Sequence, residues 1–375
     1  MRALSKSKIL SYLQCPKRLW LEVKQPELIE NSAATEASFK IGHQVGEIAR
    51  TLYDPEGNGV LIEPHLIGFE AAFSQTTNLL KSTAPIFEAA ITTGNALALA
   101  DVMLPMNQQG TPGWRMIEVK SSTSVKDYQK DDVAVQAHIA RSSGVALERI
   151  DVACIDNQWI YPGKGSYQGL LKETDLTEQA FGRTNEVQGW IEGAHEVIDK
   201  GVEPEISTGS HCNEPYSCGF YHYCSSAEPQ PQFPVSWLPD IRKSELKEFI
   251  SDNGVTDLGE VPDDLLNERQ RRVKKHSLSG ELFFDKEGAA ADLATYELPA
   301  YFLDFETINL AVPIWKGRRA YQQVPFQYSL HKLSRNSVVT HESFVDLSGK
   351  DPAEPLAEKL IAACGDEGPI FVYNI

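Results

Sequence analysis

The sequence predicts an α/β protein in which a mixed sheet is flanked by helices and is followed by a second, smaller α/β domain. Between Ile86 and Ile160 the pattern runs strand, hairpin, strand, helix, strand, and the turn-rich NQQGTPG separates the apolar ALALADVML from WRMIEVKSS. From Tyr301 the strand pattern returns in YFLDFET, VPFQYSLHKL and VVTHESFVD, before a helix over DPAEPLAEKLIAAC and a closing strand PIFVYNI. These two blocks of strands predict two sheets.

Helical patterns lie on both sides of the first block. A helix that begins at Ser5 or Ser7 and is disturbed at Pro16 is predicted at the start of the chain. Three more are predicted, over residues 34–52, 126–143 and 177–200.

Four prolines, at positions 229, 231, 234 and 239, then predict a domain boundary, because they can continue neither a helix nor a central strand. The predicted organisation is a first domain over 1–226, a linker with a small helical region over 227–298, and a last domain over 299–375.

Charge and cysteine content limit the functional classes. The net charge of −17 disfavours tight, sequence-independent binding of nucleic acid, although a local basic cluster exists. The cluster comprises Arg269, Arg271, Arg272, Lys274 and Lys275. The chain has no apolar run of the roughly 18 residues that a membrane span needs, and the N-terminus does not resemble an export signal. We therefore expect a cytoplasmic protein with no membrane partner, whose six cysteines are ligands, core thiols or reactive groups rather than disulfides.

The most informative local pattern is Asp101 combined with Glu118 and Lys120. Side chains two apart on a strand share a face, so Glu118 and Lys120 point the same way. A hairpin centred between residues 109 and 110 places Asp101 opposite Glu118, where two carboxylates can share a divalent ion. Each residue alone has a plainer explanation as part of a solvated strand face, but a carboxylate within an apolar strand needs a partner.

This set of residues suits phosphodiester hydrolysis. Mg²⁺ or Mn²⁺ held by the two carboxylates lowers the pKa of a bound water and stabilises charge on the phosphate. Lys120 is predicted to orient or deprotonate that water, or to stabilise the developing charge. Gln136, on the next helix, is predicted to help position the nucleophile.

Four cysteines form a second pattern. Cys212, Cys218 and Cys224 are spaced C-x5-C-x5-C, and Cys15 is the natural fourth ligand. Four thiolates suit an iron–sulfur cluster or zinc, and the wide spacing with one remote ligand favours iron–sulfur. The other two cysteines, at positions 154 and 364, lie in apolar patterns and are predicted to be core thiols, while the histidines at 211 and 222 are weaker alternative ligands.

Together the two patterns resemble the RecB-like nucleases of the PD-(D/E)xK type with an iron–sulfur clasp, a group that includes CRISPR-adaptation nucleases and AddB-type helicase–nuclease subunits. In those proteins one cysteine precedes the nuclease core and three follow it, which is the order found here. The resemblance covers residues 1 to about 226. It implies a restriction-endonuclease-like mixed sheet flanked by helices, a 4Fe–4S cluster on the four cysteines, metal ligation by Asp101 and Glu118, and catalysis by Lys120.

The chain departs from that family at two places. The resemblance makes Gln136 the start of a Q-x3-Y motif, but the position four residues later is Ala140, and Tyr128 is a candidate to fill the space of the missing tyrosine. The upstream metal ligand of the family has two candidates here, His43 and Glu88.

The last domain has a separate resemblance. YFLDFETI is similar to the first acidic motif of DnaQ-like exonucleases, which have an RNase H-like fold, and Asp304 and Glu306 share a strand face there as candidate metal ligands. The longer stretch looks like an uncharacterised bacterial domain found after RecB-like nucleases. Such a domain would continue past FVYN with another acidic motif, so we expect an incomplete DnaQ-like domain that is inactive as it stands.

Three functional hypotheses follow. The first is a metal-dependent nuclease that acts on DNA, on single strands or ends, with a structural iron–sulfur cluster and a protein partner in DNA processing. The second is a non-catalytic DNA-end-binding or scaffold module, favoured by the acidic charge and by Ala140. The third is a zinc-stabilised protein with no role on nucleic acid.

Overall fold

The computed structural model describes residues 3–108, 111–241 and 244–373, and these form a mixed α/β structure with two mixed sheets. Its α-helices are α1 (Lys6–Gln14), α2 (Pro16–Lys24), α3 (Ala33–Tyr53), α4 (Pro64–Ile67), α5 (Phe69–Leu79), α6 (Asp127–Ser142), α7 (Thr177–Gly182), α8 (Thr184–Asp199), α9 (Tyr221–Ser226), α10 (Ser244–Asn253), α11 (Glu268–Ser279), α12 (Lys286–Leu293) and α13 (Ala353–Cys364). Within the described ranges, no helix has the length and apolar character needed to cross a membrane.

The strands fall into two sheets. The first contains β1 (Leu4–Ser5), β2 (Val60–Leu61), β3 (Ile86–Thr92), β4 (Ala96–Gln108), β5 (Thr111–Lys120), β6 (Leu147–Ile155) and β7 (Leu171–Asp175). The second contains β8 (Ala300–Asn309), β9 (Gln323–Leu333), β10 (Val339–Val345) and β11 (Ile370–Val372). The α/β class predicted from the sequence is confirmed at this level.

The first sheet has the order β2-β3-β4-β5-β6-β7, and β1 pairs with β4 outside that path. The β3–β4, β4–β5 and β6–β7 pairs are antiparallel, whereas β5–β6 and β1–β4 are parallel. The parallel β5–β6 pair needs a crossover connection, and α6 supplies it. Helix α6 packs into the main core, which buries nearly all of its residues from 133 to 140.

The predicted hairpin register is confirmed. Val102 lies opposite Ile117, and the pairing continues to Gln108 opposite Thr111. The predicted centre of the hairpin, residues 109 and 110, lies outside the described residues. One more step in the same register places Asp101 at the level of Glu118.

The start of the chain follows its capping signals. Ser5 caps α1 by accepting a hydrogen bond from the Lys8 backbone N–H, at 3.4 Å. The helix ends at Cys15, and α2 begins at Pro16, because a proline ring fits the first turn of a helix but not its interior.

One predicted helix is wrong. The stretch from 177 to 200 forms two helices, α7 and α8, separated at Arg183. The backbone N–H of Arg183 bonds to the Ala180 carbonyl in a tighter turn, and its φ of −99° and ψ of 13° leave the helical region. Gly182 precedes this break, and glycine weakens the interior of a helix.

The chain divides into two compact units that are not contiguous in sequence. The first comprises Met1–His222, Asp304–Ser329 and Glu342–Ala363, and the second comprises Tyr223–Leu303, Leu330–His341 and Cys364–Ile375. The domain boundaries at 226 and 299 remain predictions.

The first unit has a smaller core in addition to the main one. Its buried members include Val45 on α3 and Ile155 on β6, with Ala311, Val312 and Ala320 from the stretch after β8. Residues near 311–320 therefore belong to the packing of the first unit, although they are distant from it in sequence.

The second unit has a core of its own between the proline-rich stretch and α11. Its buried members are Leu238, Leu246, Val255, Leu258, Val261 and Leu266. The predicted helical region is confirmed there by α10, α11 and α12.

Asp151 on β6 is a buried charge on which stability should depend. It is fully buried, and it accepts hydrogen bonds from Arg115 Nε at 2.8 Å and from Arg149 Nη2 at 2.6 Å. Asp151→Ala leaves both guanidinium groups without this partner, so we expect it to lower the free energy of unfolding by about 3 kcal/mol. Denaturant unfolding would measure the loss. Asp127→Ala, which removes a carboxylate that is 96% exposed, is the control and should leave the free energy of unfolding essentially unchanged.

Candidate active site

The predicted catalytic residues come together on one face of the first sheet. Glu118 is buried near the end of β5, and Lys120 Nζ donates to Glu118 Oε1 at 2.6 Å. Gln136 on α6 is fully buried, and its Nε2 donates to Glu118 Oε2 at 2.6 Å. On β4, Asp101 Oδ2 accepts a hydrogen bond from the Val119 backbone N–H at 2.7 Å, which ties Asp101 to β5.

Two residues that sequence reasoning missed complete this group. Lys6, the first residue of α1, donates to Glu118 Oε1 at 2.8 Å and is 2.9 Å from Asp132 Oδ1. Asp132 on α6 also accepts from Lys120 Nζ, at 2.6 Å through Oδ2. The two lysines and the two carboxylates thus alternate around a closed ring, which we call the charge ring: Lys6, Glu118, Lys120 and Asp132.

The charge ring is mostly removed from solvent. The side chains of Glu118 and Asp132 are 3% and 4% exposed, and those of Lys6 and Lys120 are 18% and 20% exposed. Removing four charges from water costs several kcal/mol per ion unless each is paired. The ring satisfies that condition by pairing every charge twice.

The ring holds its two lysines and Asp132 in their charged forms. Burial alone would lower the pKa of Lys6 and of Lys120, but the charges of Glu118 and Asp132 raise both pKa values above the usual lysine range. For Asp132, burial alone would raise the pKa, but Lys6 and Lys120 lower it well below the usual aspartate range. Lys120 is therefore a hydrogen-bond donor and a positive charge in this state, not a base.

Asp101 and Glu88 form an acidic group beside the ring. Burial, and then the charge of Glu118, raise the pKa of Asp101 well above its usual range. The same two causes raise the pKa of Glu88 on β3. Glu88 lies at the level of Asp101, between the pairs Phe87–Val102 and Ala89–Ala100.

The backbone of Glu88 is also unusual. Its φ of +55° is in the left-handed region, which non-glycine residues rarely adopt, and such strain is common at functional sites. Of the two candidate upstream ligands, Glu88 is half-buried on β3, whereas His43 is exposed on α3.

This donor set fits a divalent cation in its chemistry. Three carboxylates, Glu88, Asp101 and Glu118, lie on adjacent strands, and burial followed by repulsion from Glu118 raises the pKa of Glu88 and of Asp101. A cation bound among them would relieve that repulsion. As the side chains stand, no three His, Cys, Asp or Glu residues within the described ranges are arranged to hold a metal ion. Lysines and Gln136 bond to both oxygens of Glu118.

The structure describes both Ala140, which stands where the Q-x3-Y motif has tyrosine, and Tyr128, the candidate to replace it. Ala140 is fully buried in the main core of the first unit. Tyr128 packs edge-on against Tyr216, with 4.8 Å between ring centroids, and its hydroxyl accepts from Gln129 Nε2 at 3.3 Å. Tyr128 therefore contacts the cysteine-rich segment, a contact that its sequence position did not indicate.

Three of the four predicted cluster cysteines, Cys15, Cys212 and Cys218, belong to the first unit. The Cys218 backbone N–H donates to the Cys212 carbonyl at 2.7 Å. Burial raises the pKa of the Cys218 thiol, and the nearby thiols of Cys212 and Cys15 raise it further. Cys224 belongs to the second unit.

Helix α1 connects the two parts of the site. Lys6 is its first residue, and Cys15 caps its C-terminal end. Gln14 Nε2 donates to the carbonyls of His211 and Tyr216, both at 2.7 Å, which attaches the end of this helix to the cysteine-rich segment.

The other two cysteines are core thiols, as predicted. Cys154 and Cys364 are 4% and 8% exposed. None of the six cysteines forms a disulfide.

Asp304 and Glu306 are not part of this site. Both lie on β8 and are exposed. Their role as metal ligands remains a prediction.

Comparison with known proteins gives one match to a family model, over the last part of the chain. A family model described as a domain of unknown function, DUF2779, matches residues 301–375. This match covers the stretch that begins YFLDFETI, and its description names no activity. No curated protein shows a significant match to the chain.

Proposed function

We propose that the chain is a cytoplasmic, Mg²⁺- or Mn²⁺-dependent nuclease that hydrolyses DNA phosphodiester bonds, on single strands or at ends. The first domain would be a RecB-like PD-(D/E)xK nuclease of the restriction-endonuclease-like fold, and the last would be an RNase H-like domain. The observation that carries the proposal is the convergence of Asp101, Glu118, Lys120 and Gln136 from β4, β5 and α6.

The acidic residues would hold the ion. Asp101 and Glu118 would bind it directly, and Glu88 is the better placed of the two further candidates because it lies on the strand next to Asp101. A bound Mg²⁺ or Mn²⁺ would supply an activated water and a positive charge for the phosphoryl oxygens.

Lys120 would stabilise charge rather than remove a proton. Because Glu118 and Asp132 raise its pKa, its ammonium group remains protonated at neutral pH. A fixed ammonium group next to the scissile phosphate stabilises the negative charge that develops in the transition state. Of the three roles predicted for Lys120 from the sequence, this one has the most support.

Gln136 would hold the carboxylates in place. Its Nε2 bridges Glu118 Oε2 and Asp132 Oδ1, at 2.6 and 3.1 Å. An amide that donates to both carboxylates restrains the rotamers of both, and such restraint preserves the geometry of a catalytic group. It would act as a positioning residue.

The cysteines would bind an iron–sulfur cluster, with zinc as the alternative. The thiols of Cys15 and Cys212 both raise the pKa of the Cys218 thiol. They do so although nearly the whole first domain separates Cys15 from the other two cysteines in sequence. A 4Fe–4S cluster takes four thiolates, and Cys224 would be the fourth. A cluster here would join the two ends of the domain.

The second candidate is a DNA-end-binding or scaffold module without catalysis. One observation favours it: two lysines and an amide already bond to Glu118. The two lysines of the ring balance its two carboxylates, so the ring is neutral without a metal ion. The net charge of −17 and Ala140 point the same way.

Cleavage of labelled single- and double-stranded DNA separates the two candidates. With Mg²⁺ or Mn²⁺ we expect the wild type to cut and Asp101→Asn to cut at least about 100-fold more slowly, because the ion loses one of its two charged ligands. Asp127→Asn, an exposed carboxylate on α6, is the control and should cut as the wild type does. If the wild type binds DNA but does not cut it with its cluster intact, the binding-module candidate replaces the nuclease.

A further inference from the structure

We propose that Lys6 binds the phosphodiester backbone of the substrate and is a second cationic residue of the active site alongside Lys120. This inference rests on the proposed nuclease function and extends it. The first support is geometric. Lys6 contacts the same two carboxylates as Lys120, at 2.8 and 2.9 Å, and its side chain is exposed to nearly the same extent.

The position of Lys6 is fixed by the backbone. Leu4 and Ser5 pair in parallel with Ala96 and Leu97, at the start of the strand that carries Asp101. The Leu4 backbone N–H also donates to the Asn95 carbonyl, at 2.9 Å. These main-chain hydrogen bonds fix the backbone next to Lys6. The Lys6 ammonium group therefore approaches the ring from the start of α1, whereas that of Lys120 approaches from the end of β5.

Glu118 and Asp132 bind the two lysines of the ring in different ways, and this difference determines which carboxylate Lys6 keeps when an ion binds. Both lysines share a single oxygen of Glu118, Oε1, whereas on Asp132 they bond to separate oxygens, Oδ1 for Lys6 and Oδ2 for Lys120. A divalent ion on Glu118 would repel two ammonium groups that lie within 3 Å of that oxygen. Asp132 can retain both lysines at once, so it would become their common anchor.

Two ammonium groups that share one carboxylate have an excess of one positive charge. In a site removed from water this excess favours an anion as the next partner, and a phosphodiester carries one negative charge. Lys6 and Lys120 are both partly exposed, so a phosphate can reach them. Lys6 would thus contribute to binding of the nucleic-acid backbone regardless of base sequence.

The salt dependence of DNA binding tests this inference without requiring cleavage. We would measure the anisotropy of a short fluorescein-labelled single-stranded DNA with Ca²⁺ in place of Mg²⁺. We expect Lys6→Gln to bind about tenfold more weakly and to reduce the slope of log K against log salt by about 0.7, the value for one phosphate contact on a single strand.

The matched control is Lys8→Gln. Lys8 lies on the same helix, but its Nζ donates to the Glu22 carbonyl at 2.8 Å and lies 3.4 Å from Glu22 Oε2, away from the ring. Its removal should leave affinity and slope unchanged. A Lys6→Gln protein that binds with the wild-type slope would overturn the inference.

Mn²⁺ affinity, measured by electron paramagnetic resonance, provides a second readout. If Lys6 shares Glu118 with the ion, Lys6→Gln should bind Mn²⁺ at least about threefold more tightly, because one competing positive charge is gone. A lysine with a merely structural role would leave the Mn²⁺ affinity unchanged or lower it, and that result would also count against the inference.

A second variant tests the same contact with the ring kept neutral. Removing Lys6 alone leaves the ring with one excess negative charge, which destabilises the fold. Lys6→Gln combined with Asp132→Asn keeps the ring neutral, and we expect it to fold and to show the same reduced salt slope. Wild-type protein that neither binds nor cuts DNA overturns both proposals, whereas a wild type and a Lys6→Gln variant that cut equally and have equal slopes overturn only the role of Lys6.

Discussion

Replacing Lys120 by methionine should reduce metal-dependent DNA cleavage by at least about 100-fold, the typical effect of removing one preorganised group that stabilises transition-state charge. Lys120 Nζ lies 2.6 Å from Glu118 Oε1 and 2.6 Å from Asp132 Oδ2, so its ammonium group is held at a fixed point of the site. Methionine preserves the apolar stem and removes only the charge. We expect the loss mainly in kcat, because the interaction strengthens as charge develops on the phosphate.

The control for this variant is Lys130→Met. Lys130 lies on α6 and pairs with Asp127 at 2.7 Å, on the side of the helix away from Glu118. It removes the same charge from the same part of the chain, and we expect cleavage within about twofold of the wild type. Equal cleavage by Lys120→Met and the wild type would show that Lys120 has no catalytic role, even if the protein proves to be a nuclease.

Replacing Cys212 by serine should remove the cluster and destabilise the first unit. Cys212 is buried, and its carbonyl accepts the backbone N–H of Cys218. Because metal binding supplies folding free energy directly, we expect loss of the visible absorption and a decrease of about 3 kcal/mol or more in the free energy of unfolding. Anaerobic absorption spectra and denaturant unfolding would measure the two effects.

Cys154→Ala is the matched control for the cysteine variant. Cys154 is also buried, but it lies on β6 and contacts Ser122 rather than the cysteine-rich segment. It should keep the full metal content and lose about 1 kcal/mol. Zinc in place of iron would support the zinc alternative, and a Cys212→Ser protein with unchanged metal content and stability would contradict the cluster altogether.

Helix α1 connects the charge ring with the cysteine-rich segment. Lys6 and Cys15 are at opposite ends of α1, a helix of nine residues. Residues proposed to bind the phosphate and the cluster are therefore connected by one short helix. We expect damage to the cluster to reach the charge ring through this helix, which the cleavage rate of Cys212→Ser would report.

Several features of the fold could be predicted because they depend on neighbouring residues. The hairpin register follows from its turn-rich centre and from the alternation of side chains, and Val102 does lie opposite Ile117. The start of α1 at Ser5 and the restart at Pro16 follow from capping preferences that act within one turn.

Part of the candidate site carried a signal that was overlooked. Asp132 and Gln136 are four residues apart on α6, so they lie on the same helix face, and a second carboxylate beside Gln136 could have been noted. The positive φ of Glu88 carried no such signal, because the side chain alone gives no indication of a left-handed backbone.

The sequence by itself determined the local elements and the pairing of Asp101 with Glu118, because these depend on periodicity, turn chemistry and capping over a few residues. Only the tertiary structure decided that Lys6 joins Glu118, 112 residues away, and that residues near 311–320 pack with Val45 in the first unit. The physical reason is that long-range contacts depend on how strands are ordered in the sheet and which helices cover it, and no local pattern encodes that order.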